Sequence, residues 1–264
     1  MDIFIRVVLF YILFMCVIFI AQRTLIYFPD KSKPALIHGV EVVKLTTQDG
    51  QHLEAWYIPP TTENQLVIVL FHGNAGHYGH RINKVKDYLV AGYGVLLAEY
   101  RGYGGNSGAI SEVGFYHDGR AYMNWLLKKK NVNIEKIIPY GESIGSGVAV
   151  QMATEYDVGG LVLEVPFSSL LDIASRQYPF MPVKYLLKDR YMNIEKIDKI
   201  NAPLLILHGH KDQTIPFDSA EKLFEMAKYP KKLIDFPQGN HNNLYDFGAS
   251  QYVLDFLAGI DERN

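Results

Sequence analysis

The stretch that most constrains the fold is residues 137–147, which read Ile-Ile-Pro-Tyr-Gly-Glu-Ser-Ile-Gly-Ser-Gly. This pattern predicts a short buried strand, a sharp turn and the start of a helix, with Ser143 at the apex of the turn. Gly141 and Gly145 flank the serine, because a Cβ atom at either position would collide with the neighbouring strand and helix. A plain strand-to-helix turn is the alternative interpretation, since small residues are common in turns.

A serine held in such a turn is lifted clear of the edge of the sheet. The N–H of Ile144 and the positive end of the following helix then point to one place, where a developing oxyanion could be held. A serine hydroxyl is a poor nucleophile at neutral pH and needs a base within hydrogen-bond reach. The turn therefore predicts acyl transfer, provided that the chain supplies a base.

Apolar runs and amphipathic segments alternate along the rest of the chain. The predicted strands are residues 40–47, 52–58, 66–71, 94–98, 135–140, 161–165, 203–209 and 231–236. The predicted helices are residues 80–90, 111–129, 217–227 and 244–257, in addition to the one after Ser143. This alternation predicts an α/β fold, with a mostly parallel eight-stranded sheet covered by helices on both faces.

Residues 167–200 are too many for a simple connection between strands. Their apolar clusters predict a small helical lid whose underside contacts substrate, with Phe167, Tyr178 and Phe180 as candidate substrate-binding residues. We expect a membrane anchor at residues 1–22, a juxtamembrane linker at 23–39 and one α/β domain at 40–264, into which the lid is inserted.

The N-terminal anchor is predicted from an uncharged apolar run over residues 7–21. Extended to residue 3, with Arg6 near the headgroups, it would span about 28 Å, close to a hydrocarbon core of about 30 Å. A cleaved signal peptide is the rival, but only Ala21 offers the small residue that cleavage needs. The run favours an uncleaved single-pass helix, and the basic residues on both of its sides leave the orientation open.

Composition excludes several classes of function. A formal net charge of -2 gives no strong field for nucleic acid. The single cysteine, Cys16, rules out a disulfide within the chain. The glycine-rich residues 100–108 lack the Gly-Lys-Ser/Thr of a phosphate-binding loop.

Candidates for the acid and the base follow from the rule that working residues lie beyond the carboxyl ends of parallel strands. Asp212 follows the strand that ends near residue 207, and His241 follows the one that ends at residue 236. The order Ser143, Asp212, His241 suits a nucleophile, an orienting carboxylate and a general base. Separately, either later residue could simply cap a turn or a helix. The rivals are His208 and His210 for the base and Asp218 for the acid.

A second oxyanion donor is expected from the loop after residues 66–71. The N–H of Asn74 is the candidate, paired with that of Ile144, while His72 shapes the turn. Tyr100, Arg101 and Tyr103 are expected to brace these loops, or to form a packed structural loop.

Taken together, the motifs resemble the membrane-anchored α/β-hydrolase-domain proteins, the bud-emergence-type hydrolases and their animal relatives, some of which are protein depalmitoylases. The resemblance rests on residues 25–29, 71–76, 100–104, 141–145, 208–212 and 239–241. It implies serine-hydrolase activity on carboxylic esters or thioesters, without metal or cofactor. Glu99 and Glu164 depart from the expected Asp and small polar residue, and the cysteine-rich N-terminus of the animal depalmitoylases is missing.

The function expected is cleavage of a small or lipid-like acyl ester, with the membrane as the partner of the N-terminal helix. A tethered scaffold or binding protein on a hydrolase fold is the alternative from another class. Amide or phospholipid hydrolysis by the same three residues is the narrower alternative.

Overall fold

An eight-stranded sheet lies at the centre of the protein, in a computed structural model that describes residues 2–63 and 65–262. The strands are β1 (Phe28–Pro29), β2 (Glu41–Thr46), β3 (His52–Ile58), β4 (Val67–Phe71), β5 (Ala75–Gly76), β6 (Gly94–Ala98), β7 (Ile137–Glu142), β8 (Leu161–Glu164), β9 (Leu204–Gly209) and β10 (Lys231–Phe236). The α-helices are α1 (Ile3–Ile26), α2 (Lys86–Val90), α3 (Glu112–Lys129), α4 (Gly145–Glu155), α5 (Leu170–Gln177), α6 (Val183–Leu186), α7 (Phe217–Met226) and α8 (Ala249–Asp261). Strands β1 and β5 form a separate parallel pair.

The central sheet has the order β10-β9-β8-β7-β4-β6-β3-β2. Strand β3 runs antiparallel to both β2 and β6, and every other neighbouring pair is parallel. Parallel strands need crossover connections, and the helical segments after β5, β6, β7, β8 and β9 supply them. The predicted mostly parallel, eight-stranded α/β sheet is confirmed.

Both faces of the sheet are buried, as strand β4 illustrates. Val67, Val69 and Phe71 belong to the core beneath α3, α4 and α7. Ile68 and Leu70 belong to the opposite core, beneath α2 and α8. Because successive side chains of a strand point to opposite faces, a continuous apolar run is what a doubly covered strand requires.

The carboxyl ends of four strands meet at one edge. The register places Phe71 of β4 beside Gly141 of β7, and Phe236 of β10 beside Gly209 of β9. The loops that follow these strands carry the predicted oxyanion donors, nucleophile, carboxylate and base. The topology thus brings segments that are far apart in the chain to a single rim.

Several element boundaries differ from the predicted ones. The helix predicted at 80–90 is a 3-10 turn (Tyr78–Arg81) followed by the short α2. The last predicted helix, 244–257, begins as a separate 3-10 turn (Leu244–Phe247), because Gly248 has a left-handed φ of 82° that interrupts a regular helix. The predicted cap is confirmed at Ser111, whose hydroxyl accepts a hydrogen bond from the N–H of Gly114 at 3.0 Å.

Helix α1 runs 24 residues, four beyond the expected end of the anchor at residue 22. The expected linker, 23–39, is also partly ordered structure, because it contributes β1 to the pair with β5. The best 18-residue window of α1 has a mean hydropathy of 2.9 and is 6% buried. The helix is long and apolar enough to cross a membrane, and a signal sequence near an N-terminus meets the same criteria.

Candidate active site

Ser143 lies at the turn between β7 and α4 with a left-handed φ of 52°. Only close approach of the surrounding backbone maintains such a conformation in a residue other than glycine. A Cβ atom on Gly141 would lie 2.5 Å from Cα of Ser146, and one on Gly145 would lie 2.0 Å from the carbonyl oxygen of Phe71. Both glycines are therefore required by sterics, as the sequence predicts.

The structure brings Ser143, Asp212 and His241 together, and we call these three residues the candidate triad. His241 Nε2 lies 3.1 Å from Ser143 Oγ, and His241 Nδ1 lies 2.7 Å from Asp212 Oδ2. Residues that lie 98 and 29 positions apart in the chain thus form one continuous hydrogen-bonded row. Nucleophilic catalysis by serine needs a hydroxyl, a base and an orienting carboxylate in this order.

Asp212 is held by the turn that follows β9. Its Oδ1 accepts hydrogen bonds from the N–H groups of Thr214 and Ile215, each at 2.8 Å, which leaves Oδ2 for His241. Burial raises the pKa of the Asp212 carboxyl, but the hydrogen bonds and the charge of His241 outweigh it, so the pKa lies below its ordinary value. Asp212 is therefore ionised at neutral pH and accepts a hydrogen bond from the N–H at Nδ1 of His241. Nε2 is left as an acceptor for the serine hydroxyl.

The loops of Asp212 and His241 are joined by direct backbone contact. A Cβ atom on Gly209 would lie 2.3 Å from the carbonyl oxygen of Gly239. The N–H of Lys211 donates to that same carbonyl at 2.9 Å, and the N–H of His210 donates to the carbonyl of Phe236 at 3.0 Å. The spacing between acid and base is thus determined by two adjacent strands and the bonds between their loops.

The rival residues have other partners. His208 is buried, Nε2 donates to the carbonyl of Ile215 at 2.9 Å, and burial lowers the pKa of this imidazole. His210 stacks on Phe217 with ring centroids 3.9 Å apart. Asp218 forms an exposed ion pair with Arg176.

The candidate oxyanion donors lie beside Ser143. Both Asn74 and Ile144 line the same cavity as the serine. In the described part of the chain, neither backbone N–H donates to a backbone carbonyl outside the regular helices and strands. Asn74 is held firmly: its carbonyl accepts from the N–H of Phe28 at 3.0 Å and from Tyr103 Oη at 2.9 Å. Its side-chain Nδ2 donates to the carbonyl of Ile26, the last residue of α1, at 2.8 Å.

A buried carboxylate supports the loop that carries Asn74. Glu99 accepts hydrogen bonds from His72 Nε2 at 2.7 Å and from the N–H groups of Tyr78 and Tyr100 at 2.9 and 2.8 Å. Tyr100 Oη donates to the carbonyl of His72 at 2.9 Å. His72 and Tyr100 therefore shape and brace this loop, as expected. Glu99 makes these contacts at the position where the shorter Asp was expected.

Charged side chains also lie beside the turn that carries Ser143. Lys84 Nζ lies 3.0 Å from Glu142 and 2.6 Å from Glu164, and Arg81 Nε lies 3.0 Å from Glu142. Burial raises the pKa of Glu142, but Lys84 and Arg81 outweigh it and hold the pKa of this carboxyl below its usual range. Glu164 also accepts from Tyr140 Oη at 2.7 Å. Glu164, which stands where a small polar residue was expected, thus completes an ion-pair network beside Ser143.

A cavity of about 380 Å³ opens at Ser143. The three residues predicted to bind substrate, Phe167, Tyr178 and Phe180, all line it. Thr214 and Ile215 and the inner side of α1 line it too, and the sequence did not indicate them. Lining residues from α1 are Phe14, Ile18, Phe19, Gln22, Leu25 and Ile26. The polar residues Gln22 and Arg23 at the end of the apolar run could have indicated that α1 contacts the domain. The same residues, however, would mark the end of any membrane anchor.

Among the described residues, one group has ligand atoms close enough together to share a metal ion. Asp30, His77 and His80 place these atoms within 4.8 Å of one another. The two imidazoles stack, with centroids 3.7 Å apart and planes 25° apart. Stacked rings direct their nitrogen lone pairs side by side, so at least one ring would have to turn before both could bind one ion.

Comparison with known proteins agrees with this architecture. A family model described as the alpha/beta hydrolase fold matches residues 67–191. The uncharacterized protein Rv2307c of Mycobacterium tuberculosis is 39% identical over 228 residues, which cover 84% of this chain and 81% of the relative. Protein bem46 of Schizosaccharomyces pombe is 30% identical over 260 residues, which cover 91% of this chain and 87% of bem46.

The fold is also found among solved structures. The esterase Pf2001 of Pyrococcus furiosus superposes with a TM-score of 0.69, covering 89% of this chain and 97% of that one, at 19% sequence identity. Identity at that level shows the shared fold alone. Together with the much closer relatives, it confirms the resemblance drawn from the motifs: the chain belongs to the α/β-hydrolase-domain family that includes bem46.

Proposed function

We propose that the protein is a serine hydrolase that cleaves carboxylic esters or thioesters through an acyl-enzyme intermediate. The observation that carries the proposal is the hydrogen-bonded row from Ser143 through His241 to Asp212, at 3.1 and 2.7 Å. Nucleophilic catalysis by serine needs such a base and such an orienting group. The esterase Pf2001 of Pyrococcus furiosus has the same fold, so this architecture is compatible with an esterase site.

In the acylation step, Ser143 Oγ attacks the carbonyl carbon of the substrate. His241 Nε2 accepts the hydroxyl proton, and Asp212 stabilises the imidazolium that forms. The N–H groups of Asn74 and Ile144 stabilise the negative charge that develops on the carbonyl oxygen. His241 then donates the proton to the departing alkoxide or thiolate, which leaves an acyl group on Ser143.

In the deacylation step, water takes the place of the leaving group. His241 Nε2 removes a proton from the water as it attacks the acyl carbonyl, and the same two N–H groups hold the second oxyanion. The proton then passes to Ser143 Oγ as the acid departs. One base and one pair of donors thus serve both steps.

The acyl part of the substrate is proposed to occupy the cavity beside Ser143. Phe167, Tyr178 and Phe180 give it an apolar lining that suits a hydrocarbon chain. Helix α1 is proposed to anchor the protein in a membrane as a single span. Ester, thioester and amide probes with the same acyl chain separate the bond types that this site cleaves.

A fluorophosphonate probe tests the nucleophile. Wild-type protein is expected to be labelled, and Ser143→Ala is expected to lose both the label and about 10⁴-fold or more of kcat/KM on p-nitrophenyl esters. Ser146→Ala, a buried serine three residues along, is the matched control and retains both. Equal labelling of wild type and Ser143→Ala would reject the proposal.

A further inference from the structure

Helix α1 is attached to the lid by specific polar contacts at its carboxyl end. Arg23 donates to both carboxylate oxygens of Asp189, at 2.8 and 3.0 Å. Gln22 donates to the carbonyl of Leu186 at 3.1 Å and accepts from the N–H of Lys188 at 2.7 Å. An anchor that served only as a tether would need no such contacts. This cluster, Gln22, Arg23, Leu186, Lys188 and Asp189, is called the latch below.

The latch is largely withdrawn from water. The side chain of Asp189 is 3% exposed, and Gln22 is 6% exposed. Asp189 also accepts from the N–H of Glu112 at the start of α3, so the latch reaches the main domain. A buried carboxylate needs a charged partner, and Arg23 supplies it. The end of α1 therefore has one defined seat on the protein.

On the N-terminal side of the latch, one side of α1 forms a wall of the cavity at Ser143. Phe14, Ile18 and Phe19 line the cavity opposite lid residues that include Met181. Further along the helix, Tyr11 Oη donates to the carbonyl of Phe180 at 2.8 Å. The cavity thus lies between the N-terminal helix and the lid, with the nucleophile at its inner end.

The geometry relates the cavity to the depth of a bilayer. Tyr11 and Gln22 lie about 16 Å apart along the axis of α1, and one leaflet of hydrocarbon is about 15 Å thick. If α1 spans the membrane, the lid beside it lies within the same leaflet. Phe180 of the lid is 63% exposed, which suits hydrocarbon, and Tyr185 is 81% exposed, which suits the membrane-water interface.

We propose that α1 is part of the acyl-binding site and that the substrate is a long-chain acyl ester resident in the membrane. This rests on the proposed serine-hydrolase function. The chain enters from the leaflet between α1 and the lid, and the ester reaches Ser143 near the level of the latch. A cavity of about 380 Å³ exceeds the roughly 150 Å³ that holds one benzene, so it suits a chain rather than an acetyl group.

Helix α1 also contacts Asn74, one of the two proposed oxyanion donors. The carbonyl of Ile26, at the end of α1, accepts from the side chain of Asn74 at 2.8 Å. The latch is three residues before this contact. A correctly seated α1 therefore positions the loop that carries one of the two proposed oxyanion donors, and α1 acts there as a positioning element.

The test uses the full chain in phosphatidylcholine vesicles and the ratio of kcat/KM for p-nitrophenyl palmitate to that for the butyrate. Ile18→Trp places a larger side chain in the cavity wall. Because an apolar pocket discriminates strongly against surplus volume, the ratio is expected to fall about tenfold or more. Ile20→Trp is the matched control, since Ile20 is 78% exposed, and it keeps the wild-type ratio. Equal ratios in the two variants overturn the proposal.

The source of the chain is tested separately by varying the mole fraction of the palmitate ester in the vesicles at constant bulk concentration. The rate is expected to follow the mole fraction. A rate that stays constant while the mole fraction changes overturns the membrane as the source and identifies a soluble acyl ester instead.

The outcomes distinguish this inference from the function beneath it. If the proposed function fails, Ser143→Ala keeps the activity of the wild type on both esters. If only the inference fails, Ser143→Ala is inactive while Ile18→Trp keeps the wild-type ratio. Fluorophosphonate labelling verifies that each tryptophan variant is folded, and a thermal melt does so for Ser143→Ala. Phe14→Trp, at another position of the same wall, replaces Ile18→Trp if that variant does not fold.

Discussion

The triad rim and the seam between α1 and the lid are held in place by different kinds of contact. At the rim, backbone meets backbone: the position of a Cβ on Gly141 would be 2.5 Å from Cα of Ser146, and that on Gly209 would be 2.3 Å from the carbonyl oxygen of Gly239. At the seam, side chains make the contacts, and Arg23 keeps 39% of its side chain exposed. The rim therefore tolerates almost no change of position, whereas the seam can adjust.

This difference separates chemistry from selectivity. The proposed attack by Ser143 needs distances near 3 Å, and only rigid backbone elements maintain these. The choice of acyl chain depends on the volume between two apolar surfaces, which side chains can alter one at a time. Substitutions at the rim should therefore abolish the reaction or the fold, and substitutions at the seam should change which ester is preferred.

The largest effect is expected from Gly145→Ala. The new Cβ would lie 2.0 Å from the carbonyl oxygen of Phe71. Neither β4 nor α4 can move away without disrupting the turn that carries Ser143. We expect a loss of about 3 kcal/mol or more in the free energy of unfolding, or no soluble folded protein. Chemical denaturation monitored by circular dichroism measures it.

Gly259→Ala is the matched control for that experiment. Gly259 lies in α8, and no atom lies within 4 Å of the position that its Cβ would take. Alanine in a helix interior is expected to stabilise the protein by about 0.5–1 kcal/mol. If Gly145→Ala were as stable as Gly259→Ala, the rim would be far more adaptable than its close contacts indicate.

The next largest effect is expected at Asp212. Asp212→Asn keeps the size of the side chain but replaces an acceptor of the His241 Nδ1 proton by a group that favours the wrong tautomer. We expect kcat to fall about 10⁴-fold with the fold retained. Ester hydrolysis at saturating substrate measures kcat, and a thermal melt verifies the fold.

Asp218→Asn controls for the loss of a nearby carboxylate. Asp218 lies in the first turn of α7 and pairs with Arg176 at the surface, so its variant should hydrolyse esters at a rate within about twofold of the wild type. A comparable loss in both variants would mean that charge near β9, rather than the hydrogen bond to His241, determines the rate.

The same contrast explains what the sequence could predict. The glycines around Ser143 are a local pattern, because the collisions they avoid involve residues of the same strand, turn and helix or the adjacent strand. The order Ser143, Asp212, His241 became informative once the strands were assigned, since parallel strands place their carboxyl ends at one edge. The fold and the residues of the candidate triad therefore followed from short patterns and one topological rule.

The seam could not be predicted in the same way. Arg23 and Asp189 are 166 residues apart, and nothing near either residue indicates its partner. The run before Arg23 is apolar on all sides, so its pattern cannot show which side faces the lid. The division at Gly248 was missed for a simpler reason, since a positive φ in the middle of an apolar pattern depends on packing that the pattern does not contain.

The smallest of these effects is expected at the latch, where it sharpens the contrast most. Arg23→Gln removes the charged partner of the buried Asp189. Because the Arg23 side chain is 39% exposed, water can screen the charge that remains, and we expect a cost of about 1 kcal/mol. The ratio of kcat/KM for palmitate to butyrate esters should then fall about fivefold. Asp189→Asn keeps an acceptor for the N–H of Glu112 but loses its charge. If the pair acts as a unit, Arg23→Gln has little further effect in the Asp189→Asn background. In this double-mutant cycle, fully additive losses in the palmitate-to-butyrate ratio would show that Arg23 and Asp189 act separately. The position of α1 would then depend on its apolar contacts alone.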